Sequence, residues 1–184
     1  VRAQLGYSYV GPGYVSLGAS SVANDRQEIS ANTSFSIRTV RLTLGYSGMF
    51  DNLLDQKEST NVRNQFRGSA ATTVGWWQTQ LSMNYLMLNN DAVVDSLAYA
   101  FDNFSLTTYQ GVVFSRDAIM RQLGVQYTYQ TSAKDMRGEA SSASYHTANL
   151  SGSARLVKQL NLNLSVGLSY RDPEQGNSFV TQVY

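Results

Sequence analysis

LNLNLSVGLSY, the stretch Leu160–Tyr170, decides how this chain folds, because every second residue in it is apolar. The apolar series is Leu160, Leu162, Leu164, Val166, Leu168 and Tyr170. The residues between them are Asn161, Asn163, Ser165, Gly167 and Ser169. A period of two places the two series on opposite faces of an extended strand. The stretch therefore predicts a β-strand with one apolar face and one polar face.

The same alternation recurs along the chain and predicts an all-β, antiparallel, up-and-down fold of about ten strands in a single domain of residues 1–184. The sixth strand has the weakest pattern. The predicted strands are Val1–Val10, Gln27–Arg38, Val40–Phe50, Val62–Val74, Trp77–Leu88, a segment within Ala98–Phe114, Ile119–Gln130, Tyr145–Leu156, Leu160–Tyr170 and Phe179–Tyr184.

The links between these strands alternate in length, which is typical of outer-membrane barrels with short periplasmic turns and long extracellular loops. The predicted short links are Arg38–Thr39, Gly75–Trp76, Ser115–Ala118 and Val157–Gln159. The predicted long links are Gly11–Arg26, Asp51–Asn61, Asn89–Leu97, Thr131–Ser144 and Asp172–Ser178.

Aromatic residues collect at both ends of the apolar series, as they do at the two interfaces of a membrane. The predicted outer girdle is Tyr7, Tyr9, Tyr46, Phe50, Tyr85, Tyr127, Tyr129 and Tyr170. The predicted inner girdle is Phe35, Trp76, Trp77 and Phe114. We therefore predict a transmembrane β-barrel in the bacterial outer membrane, with the lipid bilayer as its first partner.

A soluble barrel or sandwich is the alternative, since it also alternates but turns its apolar face inward. Its polar face would carry many Lys and Glu. Here the polar face is mostly Ser, Asn, Gln and Thr, and all three lysines fall in predicted links: Lys57, Lys134 and Lys158. Arg121 shares the parity of Leu123 and Val125 and is an exception. Either its guanidinium reaches the interface from a strand end, or a β-bulge interrupts the alternation there.

Charge is divided between the polar parity and the long links. The charged residues predicted to face the lumen are Arg2, Glu28, Arg38, Arg41, Arg63, Arg67, Arg155 and Arg171. Most acidic residues fall in the long links, which predicts a positive lumen and a negative outer rim. The arginines either favour anions in the lumen or cross-link the interior through neutral polar groups.

Composition excludes several kinds of chemistry. The formal net charge of +1 gives no basis for a nucleic-acid partner, and the absence of Cys excludes disulfides and thiolate metal sites. His146 is the single histidine, so a histidine metal cluster is excluded too. Ser144 and Asp135 lie near it in sequence, but a strand-end or loop histidine is the simpler interpretation. We predict no enzyme activity, no cofactor and no metal.

The segment Tyr9–Phe35, YVGPGYVSLGASSVANDRQEISANTSF, resembles segments of large Bacteroidota-type outer-membrane barrels. The matching positions are Pro12, Gly13, Tyr14, Ser16, Leu17, Gly18, Asn24, Asp25 and Arg26. The larger size of those barrels implies that this chain is a section of a bigger wall. No functional residue carries over from the resemblance.

A function follows from the predicted size, because a ten-stranded barrel is narrow or plugged by side chains. The leading hypothesis is a structural or assembly component of an outer-membrane complex. The alternatives are a porin-like pore for small solutes or anions and, last, a barrel enzyme. The tenth strand is short, so either it pairs imperfectly with the first strand, or the wall is completed by further strands of the same barrel or by other envelope proteins, which is the alternative we favour.

Overall fold

The computed structural model describes residues 1–11, 25–55, 57, 59–92, 98–114, 119–136, 139–157, 160–173 and 178–183. Ten strands account for nearly all of them. These are β1 (Arg2–Val10), β2 (Arg26–Ile37), β3 (Val40–Asp51), β4 (Ser59–Val74), β5 (Trp77–Ala92), β6 (Tyr99–Val113), β7 (Met120–Met136), β8 (Glu139–Val157), β9 (Leu160–Pro173) and β10 (Ser178–Val183).

All ten strands form one sheet in which each strand pairs antiparallel with its neighbours in the sequence, from β1 to β10. The predicted all-β, antiparallel, up-and-down fold is therefore confirmed. Among the described strands, β1 and β10 each pair on one side and not with each other, so the sheet is not closed. Within the same residues, no helix is long and apolar enough to cross a membrane.

Two of the predicted short links are two-residue turns, and both are confirmed. Arg38 and Gly75 take the first turn position with φ of 54° and 59°. A positive φ there gives the turn the twist that flanking β-strands require. Arg38 is therefore a turn residue outside the sheet, so its predicted place on the polar face is wrong. The predicted short links at Ser115–Ala118 and around residues 158–159 lie outside the described residues.

The predicted loop Thr131–Ser144 is wrong. β7 continues to Met136 and β8 starts at Glu139, and these two residues pair with each other. Lys134, predicted in this loop, lies within β7 and pairs with Phe101 and Ser141. Strands β4 and β5 likewise pair beyond their predicted ends, as far as Ser59 and Ala92. The apolar alternation stops before the backbone pairing does, which made the predicted strands too short.

Two β-bulges interrupt the alternation at the turn end of the sheet. The β7–β8 register shifts between Met120 and Gln122, with Arg121 as the extra residue. The bulge alternative for Arg121 is thus confirmed, because the parity that would place it beside Leu123 does not continue through it. A second shift lies between Arg155 and Val157, opposite β9. Pro173, predicted in a link, is the last residue of β9.

Candidate functional site

One face of the sheet, here called the apolar face, is defined by the register from strand to strand. Leu5 pairs with Ala31, Ala31 with Tyr46, and Tyr46 with Phe66. Because directly paired residues of neighbouring strands point to the same side, this register carries the apolar parity of every strand onto one face. The opposite face, here called the polar face, collects the Ser, Asn, Gln and Thr residues.

The apolar face has nothing packed against it among the described residues. Leu162, Leu164 and Leu168 are 54%, 57% and 57% exposed. Ala92, at 7%, is the one buried hydrophobic residue in the part of the chain that the structure describes. A soluble sandwich would bury these leucines in a core. The described sheet therefore carries its hydrophobic side chains on an open surface.

A continuous row of rings crosses seven strands of the apolar face near its loop end. Ring centroids are 5.0 Å apart for Tyr46–Phe66, 6.5 Å for Tyr85–Phe104, 6.4 Å for Phe104–Tyr129, 5.0 Å for Tyr129–His146 and 6.0 Å for His146–Tyr170. Phe66 pairs directly with Tyr85, which joins the two parts. We call this the upper aromatic row: Tyr46, Phe66, Tyr85, Phe104, Tyr129, His146 and Tyr170.

The sequence prediction missed three members of this row, namely Phe66, Phe104 and His146. Phe66 and Phe104 lie well inside strands that were predicted too short or with the weakest pattern. His146 was interpreted as a strand-end or loop residue, but it lies in the interior of β8 and pairs with Tyr129 and Tyr170. The parity of Ala148 and Leu150 was the signal that could have found it.

His146 also makes a hydrogen bond to a residue beside the row, between its Nδ1 and the Tyr127 hydroxyl at 2.7 Å. The catalytic arrangement weighed from the sequence does not form. Asp135 is six residues further along β7 than Tyr129, the partner of His146. At ~3.3 Å per residue this is ~20 Å. The register thus separates Asp135 from the histidine.

A second group of rings lies at the turn end of the sheet, here called the lower aromatic group: Phe35, Trp76, Trp77 and Phe114. Trp76 and Trp77 pack edge to face with centroids 5.9 Å apart. The Trp77 indole donates to Thr79 Oγ1 and Gln110 Oε1, both at 3.0 Å. The Trp76 carbonyl accepts a hydrogen bond from the Val113 amide at 2.8 Å, which ties this turn to β6. All four residues predicted for the inner girdle therefore lie at this end.

The upper aromatic boundary is inclined to the rows of paired residues. Through β2 to β6, the row that starts at Tyr9 on β1 leads to Asp135 on β7. The boundary aromatic on β7 is Tyr129, six residues nearer to the turn end. Six strand-to-strand steps separate β1 from β7. From Tyr9 to Tyr129 the boundary therefore descends by six residues in six steps, whereas the upper aromatic row, from Tyr46 on β3 to Tyr170 on β9, descends by only two residues in six steps.

The lower boundary is inclined in the same direction. The row that starts at Phe35 on β2 leads through β3 and β4 to Leu81 on β5. The aromatic residue of β5 at this end is Trp77, four residues nearer to the turn. Three strand-to-strand steps separate the two strands, so the descent again is slightly more than one residue per strand. The two boundaries thus descend in the same direction across the sheet, the lower one more steeply than the upper aromatic row.

The remaining predicted interface residues follow the same parity. Tyr7 pairs with Ile29, Tyr9 with Gln27, and Phe50 with Val62, all on the apolar face. Tyr127, also on this face, is 39% exposed. The predicted aromatic set thus lies on one face or, for Trp76, at a turn of it.

The predicted lumen charges collect on the polar face with few exceptions. The register places on it Arg2, Glu28, Arg41, Arg63, Arg67 and Arg171. Arg155 has the same parity beside the β-bulge of β8. The Arg171 guanidinium lies over the Tyr145 ring, 5.3 Å from its centroid. Arg38 is the turn residue corrected above.

Two of these arginines share one neutral acceptor. Arg67 Nη2 donates to Gln65 Oε1 at 2.7 Å, and Arg63 Nη2 approaches the same oxygen at 3.4 Å. Gln65 Nε2 in turn donates to Asn84 Oδ1 at 2.8 Å. In the described part of the chain, the one ion pair joins Lys57 to Asp51, so neither guanidinium contacts a carboxylate there.

Polar grooves lie on this face. One of about 540 Å³ is lined by Asn32, Gly45, Arg67, Asn84, Thr107 and their neighbours. Another, of about 360 Å³, is lined by Gln80, Ser82, Thr107, Tyr109 and Gln126. The Tyr109 ring lies over Gly111 and Gly124, which are both buried. Its hydroxyl accepts a hydrogen bond from Gln122 Nε2 at 2.7 Å.

A cluster of Asp and Asn residues occupies the loop end of β2 to β5. Asn61 donates to both carboxylate oxygens of Asp51, from its amide nitrogen at 2.6 Å and its side chain at 2.9 Å. Asp25 is 2% exposed with φ of 54°, and its carbonyl accepts from the Asn52 amide at 3.0 Å. Neither Asp25 carboxylate oxygen has a donor among the described residues. No group of three metal-binding side chains occurs in that part of the chain.

Comparisons with protein-family models, with curated proteins and with solved structures gave no match for this chain. Of the segment that carries the resemblance to Bacteroidota-type barrels, residues 12–24 lie outside the described residues.

Proposed function

We propose that this chain forms part of the wall of an outer-membrane β-barrel and acts as a structural or assembly component of an envelope complex. The observation that carries the proposal is the exposed apolar face. Leucines at about half exposure, with no core behind them in the described residues, are unfavourable in water and favourable in hydrocarbon. A bilayer is the solvent in which such a face is stable.

The aromatic residues support the same proposal. Tyr and Trp favour a membrane–water boundary because they combine an apolar ring with a polar atom. Here rings border the apolar face at both its loop end and its turn end. A sheet that stays in water has no requirement for two aromatic boundaries.

The open edges support an assembly role. In hydrocarbon, unpaired N–H and C=O groups along an edge strand each cost several kcal/mol, by an estimate of roughly 2–7 kcal/mol per group. Strands β1 and β10 each pair on one side only within the described sheet. A membrane-embedded wall of this kind therefore pairs with further strands, either of the same barrel or of a partner protein.

Single-cysteine labelling tests the proposal, because the chain has no native cysteine. Leu81→Cys and Met83→Cys lie on the apolar face, and the matched controls Ser82→Cys and Asn84→Cys lie between them on the polar face. With an environment-sensitive fluorophore on protein folded into liposomes, a lipid-borne quencher should act on positions 81 and 83. A water-soluble quencher should act on 82 and 84. Equal quenching at all four positions contradicts membrane embedding.

A pore that favours anions is the second candidate, and the Arg63–Arg67 pair without a carboxylate favours it. Conductance in planar bilayers separates the two candidates. Large, stable, anion-selective current steps would replace the structural role by the pore. If the inserted protein produces no such current steps, the structural role is supported and the pore is rejected.

A further inference from the structure

We propose that Arg63 and Arg67 form a binding subsite for a small oxyanion, such as a phosphate or a carboxylate, on the polar face. This deepens the proposed function, and it rests on it in one respect, namely that the polar face lines an aqueous interior. The primary observation is that two guanidinium groups meet at one neutral oxygen, Gln65 Oε1.

The two exposed guanidinium groups repel each other, although solvent screens this repulsion, and an anion bound between them would offset it. Among the described residues, no carboxylate lies within ion-pair distance of either arginine. The nearest acids on the same face are Asp51, on the neighbouring strand two residues beyond Met49, the partner of Arg63, and Glu28, which pairs with Met49 from its other side. Asp51 accepts from Asn61 and forms the ion pair with Lys57, and a whole strand separates Glu28 from the two arginines. The positive charge of the two arginines can therefore attract an anionic ligand.

The groove beside Arg67 gives the ligand space and further donors. It measures about 540 Å³ and is lined by Thr43, Ser69, Ser82, Ser105 and Thr107 in addition to Asn32 and Asn84. Asn84 uses its oxygen to accept from Gln65, and its amide nitrogen donates to none of the described residues. Hydroxyls, an amide N–H and guanidinium N–H groups are together the donors that an oxyanion requires.

Gly45 opens this groove. A Cβ at this position would lie 2.7 Å from Asn32 Oδ1 and 3.8 Å from Arg67 Cβ. The missing side chain therefore leaves the space between Asn32 and Arg67 free for a ligand. Gln65 accepts a hydrogen bond from one nitrogen of the Arg67 guanidinium. The other N–H groups of that guanidinium can donate to a ligand.

Calorimetric titration of the folded full chain in detergent with inorganic phosphate, at constant ionic strength set by chloride, tests the subsite. A parallel titration with acetate distinguishes phosphate from carboxylate ligands. We expect saturable binding of at least one of the two, weakened about tenfold by Arg67→Gln or Arg63→Gln. We expect Arg67→Lys to weaken it by a smaller factor, because lysine keeps the charge but loses the planar fork.

Arg171→Gln is the matched control, since Arg171 lies on the same face but over the Tyr145 ring. It should leave binding unchanged within about twofold, as expected for a charge outside the site. Equal weakening by Arg171→Gln and Arg67→Gln would mean a diffuse positive field and would overturn the subsite. Absence of saturable binding by the wild-type protein would overturn it as well.

Far-UV circular dichroism verifies that each variant is folded. If Arg67→Gln does not fold, Arg63→Gln and Arg67→Lys carry the same test. Binding is measured without a bilayer, so its failure leaves the lipid-quenching experiment unaffected. A failure of lipid quenching would instead remove the membrane wall and leave the anion measurement standing.

Discussion

Two regions of this sheet share continuous backbone pairing and differ in which face is apolar. Between the upper aromatic row and the turn end, which we call the apolar band, the apolar face carries residues such as Leu44, Leu81 and Val125. Beyond the row, in what we call the strand extensions of β4 to β8, the same face becomes polar. Its residues there include Asn64, Asn89, Asp91, Asp102, Thr131, Asp135 and Ser144.

The opposite face changes in the reverse sense. In the apolar band it is lined by Gln80, Ser82 and Asn84, whereas in the strand extensions it carries Leu86, Leu88 and Phe101. Pairing is uninterrupted from Gln80 to Leu88. Alternation in the sequence therefore reflects the surroundings of each face of the sheet. Hydrogen bonding between the strands does not depend on that alternation. Under the proposed function, the row marks where the sheet leaves the bilayer.

The largest expected effect comes from a charge on the apolar face. Leu81→Arg in the apolar band should lower the free energy of unfolding from liposomes by about 2–4 kcal/mol, because the guanidinium enters hydrocarbon. Ala133→Arg, on the same face in a strand extension, should cost about 0–1 kcal/mol. Urea titrations of both variants in the same liposomes measure the difference. Equal costs would show that the two regions have the same surroundings.

The next effect concerns the loop end of β2. Asp25→Asn should raise the free energy of unfolding by about 1–3 kcal/mol, because it replaces a buried carboxyl group that lacks a donor among the described residues. Asparagine also tolerates the positive φ of 54° at this position. Asp55→Asn, which has φ of 55° in the exposed part of the same end, is the control and should have little effect. A loss of stability in Asp25→Asn would mean that a cation or donor compensates the carboxylate.

A smaller effect is expected on the polar face of the sheet, in the part whose other face is the apolar band. A Cβ at Gly124 would lie 2.5 Å from Tyr109 Cε2, so Gly124→Ala should displace the ring and break its hydrogen bond with Gln122. We expect a cost of about 1 kcal/mol, at the lower end for overpacking, since the ring can move. Gly152→Ala is the control, because its nearest neighbour would be Leu123 Cδ1 at an ordinary 3.7 Å. Thermal unfolding that ranks the two variants in the opposite order would contradict the packing.

The smallest effect is expected at the boundary itself. His146→Phe keeps a ring in the upper aromatic row and removes the hydrogen bond to Tyr127, at a cost of about 0.5 kcal/mol. His146→Ala also removes the ring contacts with Tyr129 and Tyr170 and should cost more. Denaturant midpoints of the two variants measure the order. If His146→Ala is more stable than His146→Phe, the ring contacts of the upper aromatic row do not stabilise the sheet.

The strands were predicted correctly from the sequence where each face keeps the same surroundings along the whole strand. Leu160–Tyr170 alternates throughout, and β9 follows it closely. Tyr99–Val113 lies within the predicted sixth segment even though its pattern was the weakest. The segment Thr131–Ser144 was predicted as a loop because polarity reverses there while pairing continues. Period-two reasoning cannot distinguish these two situations.

The candidate site was predictable in part. Parity alone placed Arg63 and Arg67 on the polar face. Their meeting at Gln65 and the groove beside Asn84 depend on how β4 pairs with β3 and β5, which single strands do not encode. The upper aromatic row likewise needed the register, because Phe66 and His146 become members only when their neighbours across the sheet are known.

Under the proposed function, the inclination of the aromatic residues gives estimates of the strand angle. The descent from Tyr9 to Tyr129 is ~3.3 Å along a strand for every ~4.8 Å across the sheet, which would correspond to a tilt of ~35° from the membrane normal, whereas the two-residue descent of the upper aromatic row would correspond to ~13°. The larger value lies at the lower end of the range for closed barrels, ~35–45°.

The same angles give a thickness. Trp77 to Tyr85 on β5 is eight residues and Phe104 to Phe114 is ten, or ~26–33 Å along the strands. Projected through tilts between ~13° and ~35°, these lengths become ~22–32 Å, a range that includes the ~25 Å height of the outward-facing band of membrane barrels. Under the proposed function, the two sets of rings are therefore separated along the tilted strands by about the thickness of a hydrocarbon layer.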